Sequence, residues 1–148
     1  MDAVFERVFA EIEDLVKLKT DDLLMKICRL LKDRIYHYDW VGFYILEENE
    51  LVLGPYAGKP TQHIRIPVGK GICGQVAEKK KTIVVQDVSR ENNYISCSID
   101  VQSEIVVPVL KNGVFVAELD IDSHSPAPFR RDDTAFLEQV CALLSNRF

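Results

Sequence analysis

The residues best suited to chemistry in this chain are its cysteines and a group of carboxylates set in apolar sequence. Cysteines stand at positions 28, 73, 97 and 141. Cys28 and Cys141 follow Ile27 and Val140 inside helical patterns, a setting that predicts buried, inert thiols. Cys73 follows the turn Gly69-Lys70-Gly71 at a predicted helix start, where the helix dipole favours a thiolate. Cys97 sits in the polar run Asn92-Asn93-Tyr94-Ile95-Ser96-Cys97-Ser98, where a loop exposes it. Both are candidate nucleophiles, the alternative for each being a small, half-buried residue. No C-x-x-C pair occurs, and His37, His63 and His124 lack ligand spacing, so no metal site is expected.

The second group is acidic: Glu104 within Ser103-Glu104-Ile105-Val106-Val107, and Asp120 with Asp122 in Leu119-Asp120-Ile121-Asp122. Carboxylates are depleted in strands and costly to bury. Asp120 and Asp122 share one strand face. The turn at Asn112-Gly113 decides where Glu104 falls. A two-residue turn sets Glu104 opposite Ile121, whereas a three-residue loop with a bulge at Gly113 sets it opposite Asp120 and gathers all three acids. Gathered acids can bind a cation, hold an amino group or keep one carboxyl protonated; the alternative is a solvated sheet face. Trp40 and Tyr44 share strand parity and can wall a pocket, although aromatic residues in strands are more often core. Gly69-Lys70-Gly71 completes no phosphate-binding motif and reads as a turn.

The positioning elements follow from periodicity. Apolar residues from Asp2 to Leu18 mark one helical face. Thr20 is the expected cap of a second helix with its stripe from Leu23 to Ile35. Strands are predicted at Trp40 to Leu46, Leu51 to Tyr56, His63 to Val68, Thr82 to Val85, Ser103 to Lys111 and Val114 to Asp122. A short helix is expected near Cys73 to Lys79 and a closing one near Asp132 to Asn146. The polar stretch Gln86 to Asp100 has no periodicity, and loops of that length are often functional. The order implies an α+β fold, a mainly antiparallel sheet of five or six strands packed against terminal helices.

Composition narrows the class. The chain has 148 residues, 47% apolar, a size that fits a single domain over 1–148. Its 18 Lys and Arg against 23 Asp and Glu give a net charge of −5, which argues against nucleic acid or an anionic membrane as partner. The N-terminus has no basic stretch before an apolar run, and no apolar run approaches ~20 residues. A cytoplasmic protein with reduced cysteines is the expectation.

In order and spacing, Trp40-Val41-Gly42-Phe43-Tyr44, Leu51-Val52-Leu53-Gly54-Pro55-Tyr56, Gly69-Lys70-Gly71-Ile72-Cys73-Gly74, Asp87-Val88, Ser103-Glu104-Ile105-Val106-Val107-Pro108 and Leu119-Asp120-Ile121-Asp122-Ser123 resemble the free methionine-(R)-sulfoxide reductases, enzymes built on a GAF domain. The resemblance runs from Trp40 to the final helix. It implies a GAF-like central antiparallel sheet with the N- and C-terminal helices on one side and the substrate enclosed on the other. By the same resemblance Cys97 matches the catalytic cysteine, Cys73 a second redox cysteine, Glu104, Asp120 and Asp122 the pocket carboxylates, and Trp40 and Tyr44 the pocket aromatics. It favours the bulged register at Gly113. Many members carry a further cysteine ten residues before the one at Cys73, and here that place is His63 (73 − 10 = 63).

The implied reaction reduces free methionine-(R)-sulfoxide through a Cys97 sulfenic acid and a Cys73–Cys97 disulfide, recycled by a thioredoxin-type dithiol, with no cofactor and no metal. The loop carrying Cys97 is the expected lid, and a homodimer through the N-terminal helices is part of the resemblance. The readings from other classes are a GAF module that holds a small ligand without turning it over, and a thiol peroxide sensor.

Overall fold

The computed structural model describes residues 2–91 and 100–148. Cys97 and the greater part of the expected lid lie outside the described residues.

Helix α1 (Ala3–Leu18) starts where Asp2 Oδ1 accepts the Val4 amide at 2.8 Å, and it buries Phe5, Val8 and Ile12. Helix α2 is Leu23–Arg34. Its N-cap is Asp22 and not the expected Thr20, whose carbonyl rather than hydroxyl meets the Leu23 amide. The strands are β1 (Trp40–Glu47), β2 (Glu50–Ala57), β3 (Arg65–Pro67), β4 (Ile83–Val85), β5 (Ser103–Lys111) and β6 (Val114–Ser123). Helix α3 (Gly71–Lys79) lies between β3 and β4, and α4 (Arg131–Leu143) closes the fold. The third strand is only three residues long, because the chain before it forms the loop that carries His63. Among the described residues no helix is long and apolar enough to cross a membrane.

The six strands form one antiparallel sheet in the order β3-β2-β1-β6-β5-β4. Alternation along the strands divides it into two apolar faces. On one side Val41, Phe43, Ile105, Val107, Val109, Ala117, Leu119 and Ile121 pack under α1, α2 and α4. On the other, Tyr44, Leu51, Ile66, Val85, Val106 and Phe115 meet Ile72, Cys73, Val76 and Ala77 of α3. Terminal helices on one side and the short helix on the other is the expected GAF-like arrangement.

The hairpin register differs from both sequence-derived alternatives. Asn112 (φ 53) and Gly113 (φ 80) form a two-residue turn with both residues left-handed, so Lys111 pairs with Val114. One pair later the register slips: Leu110 faces Phe115 but Val109 faces Ala117, which leaves Val116 as the bulged residue. Glu104 therefore lies opposite Asp122, and the bulge expected at Gly113 sits at Val116 instead. A second slip, between Gly42 and Tyr44, places the extra residue in β2 near Pro55, a position that tolerates proline because the ladder is already broken.

Cys28 and Cys141 are buried on the helix side, where their thiols reach the carbonyls of Pro55 at 3.5 Å and Val107 at 3.8 Å. Burial pushes the Cys28 thiol up to about 12 and raises Cys141 as well. Neither supplies a thiolate near neutral pH.

One buried acid holds the helix side to the strands. Asp133, in the first turn of α4, accepts from the Tyr38 hydroxyl at 2.8 Å and the Arg130 amide at 2.9 Å, and sits 2.6 Å from His37 Nε2. Burial pushes its carboxyl up, but the hydrogen bonds from His37, Arg130 and Tyr38 outweigh that and hold it below the ordinary range. A depressed folded pKa contributes stability above the unfolded value and loses it as pH falls through the folded one. Asp133→Ala is therefore expected to lower the unfolding free energy by about 3 kcal/mol at neutral pH. In urea titrations that deficit should shrink below about pH 4.

Candidate functional site

The face of the sheet covered by α3 carries four carboxyls and a thiol. Strand β6 presents Glu118, Asp120 and Asp122 at alternate positions, hence on one face, and β5 adds Glu104 across from Asp122. Cys73, in the first turn of α3, completes the group from above. Relative exposures are 0% for Glu118, 1% for Asp120, 0% for Asp122, 3% for Glu104 and 6% for Cys73. These values exclude the solvated-face alternative for the acids.

The cysteine and two of the acids converge. The Cys73 thiol donates to Asp120 Oδ2 at 3.4 Å, and one ligand atom each from Cys73, Glu104 and Asp120 lies within 4.8 Å of the others. A cavity of about 10 Å³ opens against them, lined among others by Tyr44, His63, Lys70 and Gly71. That volume matches roughly one water molecule, so a larger ligand requires the walls to part. Tyr44 is fully buried and its hydroxyl donates to the His63 carbonyl at 2.8 Å, tying the loop before β3 to the sheet.

Trp40 and Asp122 lie on the same face but not in the lining of this cavity. The Trp40 indole turns toward β2, stacks on Tyr56 at 5.5 Å and donates to the Lys59 carbonyl at 2.9 Å. It lies flat over Gly42, where a Cβ would come within 2.4 Å of the ring. The glycine thus makes the slot in which the indole rests.

Electrostatics reverse one expectation. Cys73 does stand at a helix N-terminus, but burial and then the carboxylates of Asp120, Glu118 and Glu104 push its thiol well above the ordinary range. The helix dipole, worth at most ~2 kcal/mol even when partly buried, does not offset a dry site lined by acids. Burial raises Glu118 far above a normal carboxyl, the adjacent Cys73 thiol works against the rise, and the Asp120 charge adds to it. Burial also raises Asp120, against hydrogen bonds from Glu104 and Cys73.

Glu118 is the residue that the motifs did not single out. The signal was present in the alternation Glu118-Leu119-Asp120-Ile121-Asp122, since a residue two before Asp120 must share its face. Neither Glu118 oxygen has a hydrogen-bond partner of good geometry, and Asp120 Oδ1 is likewise without one.

Comparison with known proteins gives a consistent picture. The GAF domain family profile matches residues 19–148. The chain is 38% identical over 115 residues to the free methionine-R-sulfoxide reductase of Escherichia coli, covering 78% of this chain and 69% of that protein. It is 37% identical over 145 residues to GAF domain-containing protein A of Dictyostelium discoideum, covering 96% and 90%. The X-ray structure of the Neisseria meningitidis free methionine-R-sulfoxide reductase in complex with its substrate superposes with a TM-score of 0.92 at 36% identity, covering 100% of this chain and 91% of that one.

The raised carboxyls make a stability prediction opposite in sign to that for Asp133. An acid whose folded pKa is raised binds its proton more tightly when folded, so stability is lost as pH rises from the unfolded value to the folded one. The unfolding free energy should decline as pH rises above the ordinary carboxyl range, about pH 4, through Glu118 and Asp120. In a Glu118→Gln/Asp120→Asn double variant, urea titrations across that range should show a shallower decline.

Proposed function

The chain belongs to the GAF-domain family and, within it, to the free methionine-R-sulfoxide reductases; from that premise we propose that it reduces free L-methionine-(R)-sulfoxide to L-methionine. The observation that carries the reading is the buried thiol and carboxyl group on the α3 side of the sheet, where Cys73, Glu104 and Asp120 meet at one small cavity.

In the proposed reaction the Cys97 thiolate attacks the sulfoxide sulfur. The departing oxygen needs a proton, and a carboxyl kept neutral by burial and by like-charged neighbours is suited to give one near pH 7. Oxygen passes to Cys97 as a sulfenic acid, and methionine leaves with its sulfur reduced. The Cys73 thiol then displaces the sulfenic hydroxyl, forming a Cys73–Cys97 disulfide and releasing water. A thioredoxin-type dithiol in a reducing cytoplasm exchanges with that disulfide, so the protein returns to two thiols and the reductant carries the disulfide away.

The residues divide the work by their positions. Glu104 and Asp120, which line the cavity, serve as proton donor and as counter-charge for the substrate ammonium. Asp122, paired across the sheet with Glu104, supports them, while Tyr44 in the cavity lining grips the methyl-bearing end of the substrate, and Trp40, the other aromatic of the family motif, joins it when the walls part. Cys97 lies outside the described residues and takes its role from its match to the family motif. A pocket that grips amino and carboxylate groups together excludes peptide-bound methionine.

Turnover decides the matter. Incubation with racemic free methionine sulfoxide and dithiothreitol should consume the R epimer alone and yield one methionine per sulfoxide. No product, or equal loss of both epimers, would sink the reading and favour a module that holds a ligand unchanged. Cys97→Ser should lower the rate by about a thousandfold or more. Cys73→Ser should retain turnover with dithiothreitol and lose it with thioredoxin; full thioredoxin-linked turnover by that variant would remove Cys73 from the cycle.

A further inference from the structure

The cavity under α3 is too small, as it stands, for an amino-acid substrate, yet three donor groups meet in its lining. Cys73 comes from α3, Glu104 from β5 and Asp120 from β6, so no spacing along the chain announces them as a set. One ligand atom from each lies within 4.8 Å of the other two, and all three residues are buried. Asp120 Oδ2 accepts from the Cys73 thiol at 3.4 Å. Asp120 Oδ1 has no hydrogen-bond partner of good geometry among the described residues, although the residue is only 1% exposed. A buried polar atom left in that state costs on the order of 1–3 kcal/mol. A substrate ammonium can satisfy it only once the walls part, whereas the closed cavity suits a ligand no larger than one water molecule.

The dimensions are those of a bare cation. A volume of about 10 Å³ holds roughly one water, and a dehydrated divalent ion is smaller still. Around tetrahedral zinc, with Zn–S of about 2.3 Å and Zn–O of about 2.0 Å, a sulfur and an oxygen stand about 3.5 Å apart. The Cys73 sulfur and Asp120 Oδ2 are already 3.4 Å apart. Magnesium and calcium take six or more oxygens, so a thiol with two carboxyls in a confined site favours zinc, with its fourth position left to water. Lys70 borders the same cavity, but it is exposed and water screens its charge, while the three donors are dry. As the Zn–S and Zn–O bonds form, the thiol proton and that of any neutral carboxyl that ligates leave to solvent.

We propose that Cys73, Glu104 and Asp120 form a zinc site in the closed cavity, one that competes with the substrate for the same acids and ties up Cys73 while it is filled. The site itself needs no turnover; the competition rests on the proposed reductase reading. A filled site withholds from that cycle both the thiol that closes the disulfide and the carboxyls that meet the substrate ammonium.

The test uses reduced Cys97→Ser protein, which keeps Cys73 and removes the other candidate reactive thiol. Cobalt(II) serves as the spectroscopic stand-in for zinc. One equivalent should give a thiolate-to-cobalt charge-transfer band in the near ultraviolet with the visible bands of tetrahedral cobalt, and added zinc should bleach both. Adding Cys73→Ser should abolish the charge-transfer band. It should also weaken zinc binding, measured against a chromophoric chelator, by at least about a hundredfold, since the partners of a ligand alone are worth about 10–100-fold. Asp120→Asn should weaken it by at least about tenfold. Both changes are nearly isosteric, and each serves if the other variant does not fold. A missing band, or one that survives Cys73→Ser, overturns the site. Millimolar free methionine sulfoxide, which the Cys97→Ser protein cannot reduce, should displace cobalt and diminish the band. A Cys73-dependent band that sulfoxide leaves untouched overturns the competition and leaves the metal site standing. Turnover on the unmodified chain decides the reductase reading separately.

Discussion

The constraint on which the rest of this structure turns is the enclosure of like charges. Four carboxyls on adjacent strands, three of them alternating along β6, face one another under a helix with almost no exposure. In water such a group would repel mildly; in a dry site it cannot ionise fully, because each further charge is opposed both by lost hydration and by its neighbours. The group therefore retains protons near neutral pH and presses any thiol placed beside it toward its neutral form. The position of α3, the hydrogen bond from Cys73 to Asp120 and the reversal of the helix-dipole expectation all follow from that enclosure.

The two faces of the sheet handle buried acid in opposite ways. On the helix side, Asp133 meets a hydroxyl, a backbone amide and an imidazole, and its carboxyl is stabilised as an anion. It joins α4 to the segment between α2 and β1 and serves the fold. On the other side, Glu118 and one oxygen of Asp120 have no such partners. Satisfied polar groups are ordinary in a stable core, while unsatisfied ones persist where something other than stability retains them. The large apolar cluster under α1, α2 and α4 supplies the surplus against which this strain is held.

Legibility in the sequence follows the same division. The helical stripes of α1 and α4, the alternation of β5 and β6 and the Asn112-Gly113 turn are local patterns, and each appears close to its expected place. That Glu104, Asp120 and Asp122 share a face was readable from parity, but their pairing was not. The slip at Val116 depends on how β6 packs, and no turn residue marks it. The N-cap position of α2 falls to Asp22 because Thr20 lies two residues too far out for the helix that forms. Glu118 was hidden by its surroundings: a glutamate in an apolar strand next to two aspartates reads as one more solvated acid until burial is known. The thiolate expected at Cys73 is absent for the same reason, since a helix start is visible in the sequence and the acids around it in the fold are not.

His63 brings these strands of argument together. In the resembled enzymes its place is often a cysteine, yet the backbone here is held by the Tyr44 hydroxyl, so the position beside the cavity is kept while its chemistry changes. Reduction in the proposed cycle then falls to a thiol that its own neighbours suppress. The suppression is compatible with the reaction because a sulfenic acid must release a hydroxyl group as the new bond forms. Its hydroxyl leaves as water only if a proton arrives as the new sulfur–sulfur bond forms. Carboxyls that retain protons near neutral pH are the groups able to provide it, and the same group can take the thiol hydrogen that Cys73 gives up. In the proposed cycle, the acids that make Cys73 a poor general nucleophile are thus also the groups able to supply the proton that the departing sulfenic hydroxyl consumes.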